Sequence, residues 1–94
     1  MTRVEIRTYF DHMSQEFNVL LFGVTRDIVG GSSVRCALPE GARVADLLTT
    51  LQQQYPRLAG IRSLLVAVNS DYADAATRLN SHDEIALIPP VSGG

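Results

Sequence analysis

One stretch limits the fold more than any other. Between residues 43 and 55, Val44, Leu47, Leu48, Leu51 and Tyr55 recur at i, i+3, i+4, i+7 and i+11, so they form a single stripe along an α-helix. Pro56 stops that helix, because a proline cannot continue its hydrogen-bond ladder. No second segment of comparable length carries this period, and the apolar runs around it are short and strand-like. Residues 18–24 (N-V-L-L-F-G-V) read as a strand buried on both faces, and in 33–38 Val34, Cys36 and Leu38 alternate with Ser33, Arg35 and Ala37. Residues 64–68 and 84–88 read as two further strands, with Tyr72-Ala73 opening a brief edge strand. Thr25 is expected to cap a single helical turn over 25–29, and Gly30-Gly31-Ser32 to break the chain as a flexible loop. Turns are expected at Pro39-Glu40-Gly41, Asn69-Ser70-Asp71 and 79–83. The expected fold is α+β: a mixed four- to five-stranded sheet with one main helix on one face, the final strand returning to the middle beside the first.

One helix leaves the other face of such a sheet uncovered. Val19 and Leu21 point one way and Leu20 and Phe22 the other, while Ile85 and Leu87 oppose Ala86 and Ile88. Leu20, Phe22 and Ile88, joined by Tyr72, are therefore expected to form an exposed apolar patch of the kind that marks a protein interface. The competing reading lets residues 1–16, an N-terminal extension that is either frayed or an added strand, fold over this face. The compact unit is assigned to 17–88 and an extended tail to 89–94. With 94 residues the chain accommodates one small domain.

Charge and reactive side chains exclude several functions. Eight basic residues against ten acidic give a formal charge of −2, which offers no footprint for nucleic acid. All eight are arginine, so the side chains supply no amine for a Schiff base or an isopeptide bond. No apolar run approaches the roughly 20 residues of a membrane span, and the single thiol, Cys36, fits a reducing, cytoplasmic setting. His12 and His82 stand apart from any thiol, so no metal site is expected. Ser92, His82 and Asp83 lack the sharp turn and oxyanion hole of a hydrolase, and Gly30-Gly31-Ser32-Ser33 lacks the spacing of a phosphate loop. Turn chemistry accounts for Asp83, a strand edge for Glu84, and burial for Cys36.

The end of the chain remains. Pro89 and Pro90 fix two φ angles and favour an extended exit, and Val91, Ser92, Gly93 and Gly94 carry progressively less side chain. Six residues at roughly 3.3 Å each reach about 20 Å from the sheet, enough to thread bare backbone into another protein's active site. Terminal glycines also occur in tails that merely fray.

The β-strand and helix order, with N-V-L-L-F-G near the start, L-V-A-V-N in the middle and D-E-I-A-L-I-P-P-V-S-G-G at the end, resembles the ubiquitin-like β-grasp family of molybdopterin synthase small subunits over residues 18–94. The final twelve residues are its specific part, and residues before Phe17 have no counterpart in the family pattern. The resemblance implies a sulfur carrier that is a non-catalytic subunit of a sulfurtransferase complex. Its reactive group would be the C-terminal carboxyl of Gly94, preceded by Gly93, adenylated by an E1-like adenylyltransferase with ATP and converted to a thiocarboxylate. The sulfur would pass to cyclic pyranopterin monophosphate in the large synthase subunit, within a heterotetramer. The chain itself would bind no cofactor. Phe22, Tyr72, Ile88, Pro89, Pro90, Val91 and Ser92 fall at partner-contact positions, and Arg26, in a loop beside that face, at a contact for the activating enzyme. The alternatives are a ubiquitin-like protein modifier, a thiamine-pathway sulfur carrier and a plain interaction domain with an inert tail.

Overall fold

A computed structural model of the chain describes residues 14–90. The elements run β1 (Ser14–Leu21), α1 (Val24–Val29), β2 (Ser33–Pro39), α2 (Val44–Gln54), a 3₁₀ helix (Pro56–Gly60), β3 (Leu65–Val68), β4 (Asp71–Ala73) and β5 (Ile85–Ile88). The strands form one five-stranded sheet in the order β2-β1-β5-β3-β4. β1 pairs antiparallel with β2 and parallel with β5, while β3 pairs antiparallel with both β5 and β4. The last strand thus returns beside the first, as expected from the sequence.

Strand periodicity sorts the core. Phe17, Val19 and Leu21 of β1, Cys36 and Leu38 of β2, Val66 of β3, and Ile85 and Leu87 of β5 are all buried beneath Val44, Leu47 and Leu51 of α2. Leu48 and Tyr55 flank that stripe half-buried. Arg43 caps α2 from outside, its N–H donating to Asp46 Oδ2 at 2.8 Å. A passing segment satisfies two more N-terminal donors of the helix: Val44 N–H reaches the Thr77 carbonyl at 2.9 Å and Ala45 N–H that of Ala75 at 3.1 Å.

Several details depart from the sequence reading. The first strand spans Ser14–Leu21 rather than 18–24, so residues 14–16, grouped with the extension, pair with β2, and Phe22 lies just past the strand. The physical reason is the partner: seven residues of β2 provide a ladder that extends β1 backwards. Thr25 does not cap α1. Gly23 holds the cap position, and Thr25, fully buried, locks the turn from inside the helix. Its Oγ1 donates to the Phe22 carbonyl at 2.6 Å and accepts from Phe22 N–H at 2.9 Å. Gly30 closes α1 in the left-handed region at φ 91, its N–H donating to the Arg26 carbonyl at 2.8 Å, so this stretch is an ordered C-terminal cap. After Pro56 the chain forms the 3₁₀ helix that buries Leu58, and Leu79, expected in a turn, inserts into the core.

Candidate docking face and tail exit

The sheet face away from α2 carries two different surfaces. Toward β2 it is polar, with Glu16, Asn18 and Arg35 exposed and Asn18 abreast of Arg35. Toward β4 it is apolar and hollow.

The hollow follows from register. Leu20 of β1 lies beside Ala86 of β5, Ala86 beside Ala67 of β3, and Ala67 beside Tyr72 of β4. Two methyl groups therefore sit between two large side chains, and the difference in side-chain length leaves a socket of ≈ 270 Å³. Phe22 and Ile88 line one end, and Ser70 and Glu84 the other. Phe22 is 47% exposed and Tyr72 70%, whereas Leu20 and Ile88 are half-buried. Leu65, beside Ile88 on the same face, is also exposed.

Both ends of the socket are rigidly built. Phe22 is held through its backbone N–H and carbonyl by Thr25. At the other end the Asn69-Ser70 turn joins β3 to β4 with φ values of 53 and 72, the left-handed pair that a two-residue hairpin requires. Asn69 N–H donates to the Glu84 carbonyl at 2.8 Å, and Glu84 N–H donates to Asn69 Oδ1 at 3.0 Å. Asn69 Nδ2 and Asn80 N–H both donate to the Asp83 carboxylate, at 2.9 and 2.7 Å.

Because β5 runs parallel to β1, its C-terminal end emerges at the Phe22 end of the socket. Pro89, half-buried, packs against Gly23: a Cβ on Gly23 would approach Pro89 Cγ to 2.9 Å. Pro90 follows, exposed. Gly23 has φ 56, so this turn uses both the conformational freedom and the absent side chain of glycine.

The structure thus brings Phe22, Tyr72, Ile88 and Pro89 to one end of one face. Val91, Ser92, Gly93 and Gly94 lie outside the described residues, as does His12. Arg26 is placed differently from the sequence reading: it is exposed on α1 rather than in a loop and does not line the socket. It borders a separate open hollow of ≈ 720 Å³ with Gly23, Asp27, Gly30, Gly31 and Ser32. Ala67, Ala86, Ser70 and Glu84 complete the socket and were not singled out as contact residues from the sequence. Their signal was an alanine in each of two apolar strands, which acquires meaning only once the strands are paired.

Among the described residues no group of three or more His, Cys, Asp or Glu side chains converges as a metal site, and no helix is long and apolar enough to cross a membrane. Cys36 is buried, and burial pushes its thiol pKa above the ordinary 9.0, which keeps it protonated.

One main helix packed on one face of a five-stranded mixed sheet, with the last strand parallel to the first, is the ubiquitin-like β-grasp. The ThiS family model matches residues 19–94, and the chain belongs to the ThiS family. The molybdopterin synthase sulfur carrier subunit of Dictyostelium discoideum is 38% identical over 86 residues, covering 87% of this chain and all (100%) of that one. Among solved structures, a putative molybdopterin converting factor subunit 1 from Pyrococcus furiosus superimposes with a TM-score of 0.76 at 26% identity, covering 82% of this chain and 99% of that one. Small archaeal modifier protein 1 from Haloferax volcanii gives a TM-score of 0.74 at 28% identity, covering 84% and 99%.

Proposed function

We propose that this chain is the sulfur carrier subunit of a molybdopterin synthase, with the C-terminal carboxyl of Gly94 as its working group. The observation that carries the reading is spatial: an apolar socket on the sheet face away from α2 ends where Pro89-Pro90 leave the sheet, ahead of Gly93-Gly94 in the sequence. Docking through that face would direct the tail into the partner. The names of the curated relatives support the same reading.

In this chemistry the domain is a handle and the terminus is the cargo hook. A carboxylate is a poor acyl donor, so an E1-like adenylyltransferase joins it to AMP from ATP and releases pyrophosphate. Sulfur at the sulfide level then attacks the acyl carbon, AMP leaves, and a thiocarboxylate results. In the large subunit that sulfur passes to cyclic pyranopterin monophosphate toward the dithiolene of molybdopterin, and water restores the carboxylate. Glycines at 93 and 94 suit passage through a narrow channel, because they add no side chain to the backbone. The catalytic side chains belong to the large subunit, in a heterotetramer of two carriers and two large subunits. The chain binds no cofactor of its own and works in the cytoplasm, where its single thiol stays reduced. Val91 and Ser92 form the stem of the inserted tail, and Arg26, outside the socket, serves the activating enzyme.

Intact-mass analysis of the protein purified from its own cells tests this reading. A fraction in which one oxygen is replaced by sulfur is expected, together with product formation when that fraction meets the large subunit and the pterin. A protein carrying only an ordinary carboxylate, with no activity on reconstitution, would overturn it. The likeness to small archaeal modifier protein 1 favours a second reading, a protein modifier joined through Gly94 to target lysines. Ladders of conjugated proteins in the same cells would support that reading instead.

A further inference from the structure

The socket is amphipathic, and its two ends differ. Its floor is Ala67 and Ala86, its walls Leu20 and Tyr72, its tail-side end Phe22 and Ile88, and its far end Ser70 and the carboxylate-bearing Glu84. Glu84 contributes its backbone to the Asn69 turn in both directions, so the root of its side chain is fixed, while the neighbouring Asp83 carboxylate already accepts from Asn69 and Asn80. A partner that covered this face with apolar groups alone would strip water from Glu84 and return nothing to it, which is costly for a carboxylate. A cation at that end removes the cost. Alternate residues of a strand are about 7 Å apart, so an occupant starting over Ala86 runs that far along β5 to reach Glu84. An aliphatic stem ending in a planar cation fits this path: the stem lies on the two alanines and the head meets both the carboxylate and the exposed Tyr72 ring. Guanidinium suits it better than ammonium, because its fork pairs with a carboxylate through two parallel hydrogen bonds and its face stacks on an aromatic ring.

We infer that the docking partner inserts an arginine side chain into this socket, its stem on Ala67 and Ala86 and its guanidinium paired with Glu84 beside Tyr72. The inference rests on the reading of the chain as a synthase subunit, and it supplies the polar half of an otherwise apolar interface. An apolar anchor from the partner is the competing occupant.

The test is binding of the full chain to its own large subunit, measured at equilibrium and by association rate over a range of salt concentrations. Glu84→Gln keeps the shape of the side chain and removes its charge. It is expected to weaken binding about 10-fold or more and to flatten the salt dependence of association. Ala86→Leu raises the floor and is expected to weaken binding at every salt concentration. Unchanged affinity and salt dependence in Glu84→Gln overturn the inference, and if Ala86→Leu still weakens binding the occupant is apolar. An unaffected Ala86→Leu that folds normally also overturns it, because the socket is then empty in the complex. Should Ala86→Leu fail to fold, Glu84→Gln decides alone. A wild-type chain that does not bind the large subunit at all overturns the proposed function itself, an outcome distinct from either variant's.

Discussion

Truncating Tyr72 separates docking from folding more cleanly than any other change on the open face. Its side chain is 70% exposed, on an edge strand of three residues, so the domain itself uses little of it. A tyrosine presents on the order of 200 Å² of surface, of which about 140 Å² stays free here and about 60 Å² already touches the protein. At about 25 cal/mol per Å², covering the free part completely would contribute about 3.5 kcal/mol to binding, whereas losing the covered part costs the isolated domain at most about 1.5 kcal/mol. Ordering of the interface offsets part of the first figure. Tyr72→Ala is therefore expected to lose about 2 kcal/mol of affinity for the large subunit, roughly 30-fold, as truncated central anchors commonly do. Titration calorimetry with the large subunit measures the first quantity, and urea unfolding of the isolated domain the second. A change in affinity below about 3-fold, or a loss of fold stability as large as the loss of binding, would refute the assignment of this face.

Three other outcomes follow from the same geometry. Thr25→Val keeps the shape of a fully buried side chain but removes both bonds to the Phe22 backbone, so unfolding should show a loss of about 1–3 kcal/mol; a neutral change would mean the turn is held by packing alone. Removing Gly94 should abolish sulfur transfer to the pterin while leaving the thermal midpoint of the domain unchanged, which differential scanning calorimetry and a product assay check together. For Cys36, burial raises the thiol's pKa in the folded state, so the unfolded chain releases its proton first as pH rises. That contribution to stability is complete below the unfolded pKa and is lost as pH climbs through and beyond about 9. Cys36→Ala should flatten this alkaline decline in urea midpoints, and an unchanged slope would show that other groups cause it.

How much of this is legible in the sequence depends on the range of the interaction involved. The α2 stripe is a local pattern, and its residues are buried or half-buried as the spacing requires. The inward and outward alternation of β1 and β5 is equally local, which is why Leu20, Phe22 and Ile88 could be placed on the open face from parity alone. The start of β1 at Ser14 could not be read, because Gln15 and Glu16 have no strand-like character of their own and are extended by pairing with Leu38 and Ala37. Thr25 illustrates a different limit. A threonine ahead of a helical turn is a common cap, yet here the cap lies two residues earlier at a glycine and the hydroxyl points back to Phe22. Leu79 and Leu58 sit in segments rich in turn residues, and only the path of the chain across the end of α2 brings them inward.

The socket shows why the site was only half readable. Its large residues announce themselves as exposed aromatics and aliphatics, but a hollow is made by what is small. Ala67 and Ala86 create it only because the antiparallel register sets them opposite each other, and a shift of one residue would turn Val66 or Leu87 outward and fill it. That same register buries Val66 and Leu87 under α2. Core and docking surface are therefore fixed by one alignment of two four-residue strands, and the apolar energy that holds the helix also holds the recess open. The direction of β5 then joins this recess to the tail: parallel to β1, it delivers Pro89 against Gly23 at the Phe22 end. Had it run antiparallel, the chain would leave at the opposite end of the socket from Phe22, and a partner seated there would face away from the residues it is meant to receive.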